Sequence, residues 1–182
     1  MTAAHSDAQV TSDPREAGLG FRKLFDRHLG YVCHSLRRLG VREADLADKA
    51  QDAFVVVHRK LGEFDSSRPI RPWLFGICFR VASDYRCLAR HRREVSTDTG
   101  RQFGRPGFGD EIATRDLVVR ALGEIDLDRR AVLIMHDIEG HSMEEIGSTL
   151  GLAVGTGYTR LRIARRDFSL AVRRLQGTQE EQ

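Results

Sequence analysis

"EGHSMEEIGSTLGLAVGTGYTRLRIARRDF", residues 139–168, decides the fold. Ser142 followed three positions later by Glu145 is the S-x-x-E pattern of a capping box, in which each side chain bonds the other residue's backbone N–H. Met143, Ile146 and Leu150 then fall on one helical face, and Gly151 supplies the stop. Leu152 to Gly155 reads as a short turn. The helix after it carries Leu161, Ala164 and Phe168 inward and arginines outward. A short capped helix, a tight turn and a basic second helix make a helix-turn-helix. A plain helical hairpin in a bundle would share this pattern; the arginine density on the outer face favours DNA.

Upstream, Leu117 to Ile125 and Arg130 to Ile138 read as two further helices. Before them, "VSTDTGRQFGRPGFGD", residues 95–110, holds four glycines and a proline, the composition of a flexible linker. With the linker taken as 95–112, the chain divides into a disordered tail at 1–18, a first domain at 19–94 and a second at 113–176. In the first domain, Phe21, Phe25, Leu29, Val32, Leu36 and Leu39 step by three or four, and Gly40 ends the helix. A second helix starts at Asp45 or a neighbour and turns Ala50, Ala53, Phe54, Val57 and Leu61 inward, with Gly62 as its stop. Phe64 to Pro72 reads as a loop, stiffened by Pro69 and Pro72. A third helix follows, with Leu74, Ile77, Val81 and Tyr85 as its stripe. The expectation is an all-α protein of two small helical domains.

Composition bounds the function. The chain has 182 residues, 41% hydrophobic and 30% charged, with a net charge of +3. No run reaches the roughly 18 apolar residues of a membrane span, and no secretory leader is visible, so a cytoplasmic location without membrane insertion is expected. Cys33, Cys78 and Cys87 are odd in number and form no C-x-x-C, which fits free thiols in a reducing compartment. No metal or nucleotide motif and no serine-hydrolase motif appears, so neither a cofactor nor an enzymatic activity is expected. The charge distribution says more. Arg86, Arg90, Arg92 and Arg93 lie together with no acid among residues 86–93. Arg160, Arg162, Arg165, Arg166, Arg173 and Arg174 share residues 160–174 with one acid, Asp167. Two basic patches far apart suit a polyanion touched twice. Two solvated helix faces would look the same by charge alone.

Two longer strings carry a resemblance. "DLADKAQDAFVVVHRKLGEFDSSRPIRPWLFGI", residues 45–77, and "RRAVLIMHDIEGHSMEEIGSTLGLAVGT", residues 129–156, resemble the extracytoplasmic-function (ECF) class of bacterial RNA polymerase sigma factors. The resemblance implies a first lobe that docks core RNA polymerase and opens the −10 promoter element. It implies a second lobe that binds the −35 element as duplex, and an anti-sigma factor as regulator. It places polymerase docking on Asp48, Gln51 and Asp52; Asp48 and Asp52, four apart, share a helix face. It makes the loop from Phe64, with Arg68 and Arg71, the holder of a flipped base. Trp73 could stack on that base, although packing at the helix start is the plainer role. Arg80, Ser83, Arg86 and Arg90 lie close to one face, along the DNA. In the last helix, Thr156, Tyr158, Thr159 and Arg162 occupy the part that enters a major groove, and Arg160, Arg165 and Arg166 suit phosphate.

Several residues depart from the family pattern. Phe79 and Arg80 stand where Arg and Asn are usual, and Gly76 replaces a long polar residue. Lys49 and Gly157 replace aliphatics. Gly157 is expected inside a helix, facing the core, where Ala would stabilise by roughly 0.5–1 kcal/mol. A free-standing helix-turn-helix regulator is the alternative, but it leaves the motifs of residues 48–75 unexplained. A purely protein-binding adaptor leaves the arginine helices unexplained.

Overall fold

Glycine and proline punctuate seven helices in a computed structural model that describes the backbone of residues 14–95 and 110–180, and side chains of residues 20–89 and 114–177. Helix α1 spans Pro14–Leu39, α2 Leu46–Lys60 and α3 Ile70–Val95. Helix α4 spans Asp110–Gly123 and α5 Leu127–Leu133, with a π turn continuing α5 over Ile134–Ile138. Helix α6 spans Met143–Leu150 and α7 Val154–Glu180. Short 3-10 turns at Glu43–Asp45 and Leu61–Glu63 flank α2. No strand occurs among the described residues.

Four boundaries differ from the sequence reading. The first helix begins at Pro14, inside the expected tail, because Pro is suited to a first helical position. The third begins at Ile70, so Pro72 sits in its first turn rather than in the loop. The first N–H groups of a helix lack intrahelical acceptors, so Pro there costs no bond. The fourth begins at Asp110, within the expected linker, and the last begins at Val154, within the expected turn. The remainder of the tail, residues 1–13, and linker residues 96–109 lie outside the described residues.

The helix-turn-helix forms as its signals require. Ser142 accepts from the Glu145 N–H, the Glu145 carboxylate accepts from the Ser142 N–H, and Gly151 closes α6 at φ 68°, in the left-handed region. Met143 and Ile146 of α6 and Leu161 and Ala164 of α7 are buried. Gly157 is buried and helical, as expected, but the expected gain from Ala is corrected. A Cβ at position 157 would fall 2.3 Å from Met143 Sδ and 3.1 Å from a Leu152 methyl carbon. Glycine there lets α6 and α7 approach.

Helices α1, α2 and α3 pack mutually, as do α5, α6 and α7, with α4 laid on α7. The two lobes also pack on each other, α3 against α6 and α1 against α4, so their buried residues form one continuous cluster. Arg130 lies at this junction, 2% exposed. Its Nη2 donates to the carbonyls of Gly123 and Ile125 at 2.9 and 2.8 Å, closing the C-terminal end of α4. Burial and the Arg86 charge bring its pKa down to about 9. Gly40, at φ 98°, leaves the space that Arg130 Nη1 fills, since a Cβ there would lie 2.5 Å from it.

Candidate polymerase and promoter interfaces

The outer face of α2 follows from its inner one. Ala50, Ala53, Phe54 and Val57 are buried, which leaves Asp48, Gln51 and Asp52 exposed. The face is less acidic than its carboxylates suggest, because Lys49 pairs with Asp52. The stripe of α1 divides. Val32, Leu36 and Leu39 enter the core, whereas Phe21, Phe25 and Leu29 line an open groove of about 700 Å³ against α2. Gln51, Phe54 and Val55 form its other wall, and Leu29 and Val55 remain 37% and 44% exposed. An apolar groove edged by Gln51 and neighbouring Asp48 is a surface for a protein. Alternation along α1 predicted the stripe, but only tertiary packing separates its core half from its groove half.

The segment from Phe64 to Pro72 is organised by its own side chains. Asp65 accepts from the Ser67 N–H and hydroxyl, at 3.0 and 2.7 Å, which pulls its pKa down. Phe64 and Trp73 pack ring on ring, centroids 4.8 Å apart, both half-buried. Arg68 and Arg71 are exposed. The Arg71 guanidinium stands 5.5 Å over the Tyr31 ring, and Arg68 reaches Ser148 of α6 at 3.4 Å. Arg27, His28, Arg71 and His141 surround Pro69 and Pro72 in a basic cleft, where burial, Arg27 and Arg71 lower the His28 pKa. Along α3, Arg80 and Ser83 are exposed. Arg86 departs from that face: it is half-buried, with Nη1 buried and its charge felt by Arg130 of the other lobe. The Arg90 side chain lies outside the described residues.

Helix α7 presents Thr156, Tyr158, Thr159 and Arg162 outward, while Gly157 and Leu161 face α6. Thr159 donates back to the Gly155 carbonyl at 3.0 Å. Three neighbouring arginines hold carboxylates. Arg160 pairs with Asp128 at 3.2 Å and Arg166 with Asp167 at 2.9 Å. Arg165 binds Asp137 through two bonds of 2.8 and 2.7 Å, which lowers the Asp137 pKa and raises that of Arg165. Arg162 has no such partner among the described residues.

The sequence reading missed one cluster. The Tyr31 hydroxyl donates to Glu139 Oε2 at 2.8 Å and lies 3.2 Å from the Arg71 carbonyl. His141 Nε2 stands 3.4 Å from the same carboxylate oxygen. Burial pushes the Glu139 carboxyl above the ordinary carboxylate range, against the pull of the Tyr31 hydroxyl, His141 and Arg38. Glu139 and Tyr31 are 108 positions apart, and no periodicity links them.

Residues 24–94 match the Sigma-70 region 2 family, and residues 115–168 match Sigma-70, region 4. The chain is 30% identical over 174 residues to RNA polymerase sigma factor CnrH of Cupriavidus metallidurans, covering 89% of this chain and 90% of that protein. It is 32% identical over 149 residues to ECF RNA polymerase sigma factor SigM of Mycobacterium tuberculosis, covering 80% of this chain and 73% of that one. The solved structure of CnrH in complex with the cytosolic domain of CnrY is similar at a TM-score of 0.58 and 29% identity, covering 88% of this chain and 89% of that one. The sigma factor RpoE, solved with the anti-sigma factor NepR from Bartonella quintana, shares the fold at a TM-score of 0.63 and 20% identity, over 85% of this chain and 97% of that one.

The chain belongs to the ECF class of RNA polymerase sigma factors, promoter-recognising subunits of transcription initiation. The free-standing regulator is not favoured, because the region 2 match accounts for the half that such a regulator leaves unexplained. Among the described residues, no helix is long and apolar enough to cross a membrane.

Proposed function

We infer that the two lobes divide the work of promoter recognition. The first lobe docks core RNA polymerase through Asp48, Gln51 and the apolar groove between α1 and α2, with Asp52 shared between Lys49 and the partner. Arg68, Arg71, Arg80 and Ser83 then meet the opened −10 strand, and the Phe64–Trp73 pair is the stacking platform beside them. In the second lobe, Thr156, Tyr158, Thr159 and Arg162 read the −35 duplex, while Arg160, Arg165 and Arg166 contact phosphate. The polymerase supplies the chemistry, the chain works in the cytoplasm, and an anti-sigma factor is the expected regulator. That last expectation is supported by relatives solved with CnrY and NepR.

The observation that carries this reading is the split of α7, with Gly157 and Leu161 buried against α6 and Thr156, Tyr158, Thr159 and Arg162 outward. Charge reversal in the first lobe tests the division. Asp48→Arg with Asp52→Arg should abolish co-elution with core polymerase while circular dichroism keeps its helical signal. Arg68→Ala should keep core binding and lower open-complex formation, read by permanganate reactivity of unpaired thymines, with partial rescue on a pre-melted promoter. Core binding lost in Arg68→Ala and kept in the charge-reversal variant would overturn the assignment.

A further inference from the structure

The DNA-facing parts of the first lobe are the parts on which the second lobe sits. Gly76, in the middle of α3, is buried, and a Cβ there would lie 3.1 Å from Thr149 Cγ2 and 3.4 Å from the Thr149 carbonyl oxygen. Arg68 reaches Ser148, one residue earlier on α6. Tyr31, with Arg71 over its ring, donates to Glu139 just past the π turn, and Glu139 Oε1 is buried with no hydrogen-bond partner. That carboxylate is tied to the first lobe by one bond from Tyr31. Docking on α2 is a different matter: its outer face stays exposed.

Size makes the closed arrangement incompatible with two-element binding. Elements centred near −10 and −35 lie about 25 base pairs apart, or roughly 85 Å along straight duplex at about 3.4 Å per pair. A compact chain of 182 residues has a radius of gyration of about 16 Å, so it is roughly 40 Å across. One closed particle cannot touch both.

We propose that the free chain is self-closed: α3 and the loop before it dock on α6 and Glu139, which masks the −10 surface while leaving the α2 surface open to polymerase. This rests on the division of labour proposed above. Core polymerase can then engage the closed chain, and DNA reading requires the lobes to part. The closed population lowers the apparent affinity for DNA by the fraction of molecules that are open. Tyr31 and Thr149 act as latch residues and belong to neither DNA surface.

The test uses the full-length chain with two independent variants. Thr149→Trp places a wedge against Gly76, and Tyr31→Phe removes the donor to Glu139. Small-angle scattering should give a larger radius of gyration for both variants than for the wild type, at equal helical content. Binding to a fluorescent mixed-sequence single strand should tighten about 3–10-fold, and the slope of log affinity against log salt should steepen by about one to two as Arg68 and Arg71 become free. Co-elution with core polymerase should stay as in the wild type. The proposal is overturned if wild type and variants scatter alike, whether expanded or compact, or if opened variants hold the strand no better. A wild-type chain that fails to bind core polymerase would instead sink the docking role of α2 and leave the scattering result standing.

Discussion

Helices α3 and α7 were built from one recipe, an apolar inner face and an arginine-rich outer one, yet their cations have different fates. On α3, Arg86 is half-buried beside Arg130 of the other lobe. On α7 the arginines remain on the outside, but Arg160, Arg165 and Arg166 hold carboxylates from α5, the π turn and α7 itself. The difference teaches that a basic helix face is a supply of charge whose availability is set by what folds against it. Exposed pairs of this kind stabilise little on their own, so phosphate can displace the carboxylates. A cation buried between lobes needs the lobes themselves to move.

The sharpest way to break the comparison is to remove the cation most deeply committed to structure. Arg130→Ala should destabilise the chain by about 3 kcal/mol, because it opens a cavity and leaves the Gly123 and Ile125 carbonyls without their donor. Urea denaturation followed by circular dichroism would measure it, and a change below about 1 kcal/mol would remove Arg130 from the fold's supports. Gly157→Ala should cost about 1–3 kcal/mol in the same assay, since the new methyl group meets Met143 in a packed interior. The ordinary helix gain of Ala over Gly, about 1 kcal/mol, acts in the opposite direction and is the smaller effect. A stabilised variant would mean that Met143 moves aside freely.

These two positions also show where the sequence was legible. The capping box at Ser142, the stop at Gly151 and the inward facing of Gly157 are local, so spacing alone reveals them. The sign of the Gly157→Ala effect is not local: it depends on Met143, fourteen positions earlier, which packs there only after the turn is made. The same holds for ion pairs. Asp137 and Arg165 lie 28 positions apart, and Glu139 and Tyr31 108. Pro72 was misplaced for a different reason. Proline forbids a helix interior but not a first turn, and its position within a quoted string does not say which applies.

Within α7 the comparison can be sharpened residue by residue. Arg162→Ala, at the position without a carboxylate partner, should weaken binding of the −35 duplex by about 1–3 kcal/mol if its contact is bidentate to guanine. It should also relax preference at one base pair, read by competition among singly substituted duplexes. Uniform loss across all sequences would turn it into a phosphate contact. The smallest effect is expected from Asp137→Asn. It frees Arg165, so duplex binding should tighten less than tenfold, with a salt slope steeper by about one. An unchanged slope would mean that Arg165 already leaves Asp137 when DNA binds.

The π turn at Ile134–Ile138 has a consequence for insertions and deletions. Its bonds run one residue further than in an α-helix, as with the Glu139 N–H to the Ile134 carbonyl at 3.0 Å, so it accommodates one extra residue within a single turn. Deleting one residue there would let α5 run on as a regular helix. Everything after the deletion would then rotate by about 100° about the helix axis, the angle per residue at 3.6 per turn. Asp137 would swing away from Arg165, and Glu139 away from Tyr31. A single lost codon in this turn would therefore uncouple the DNA-reading helix and the lobe junction together, while every other residue of the chain stayed the same.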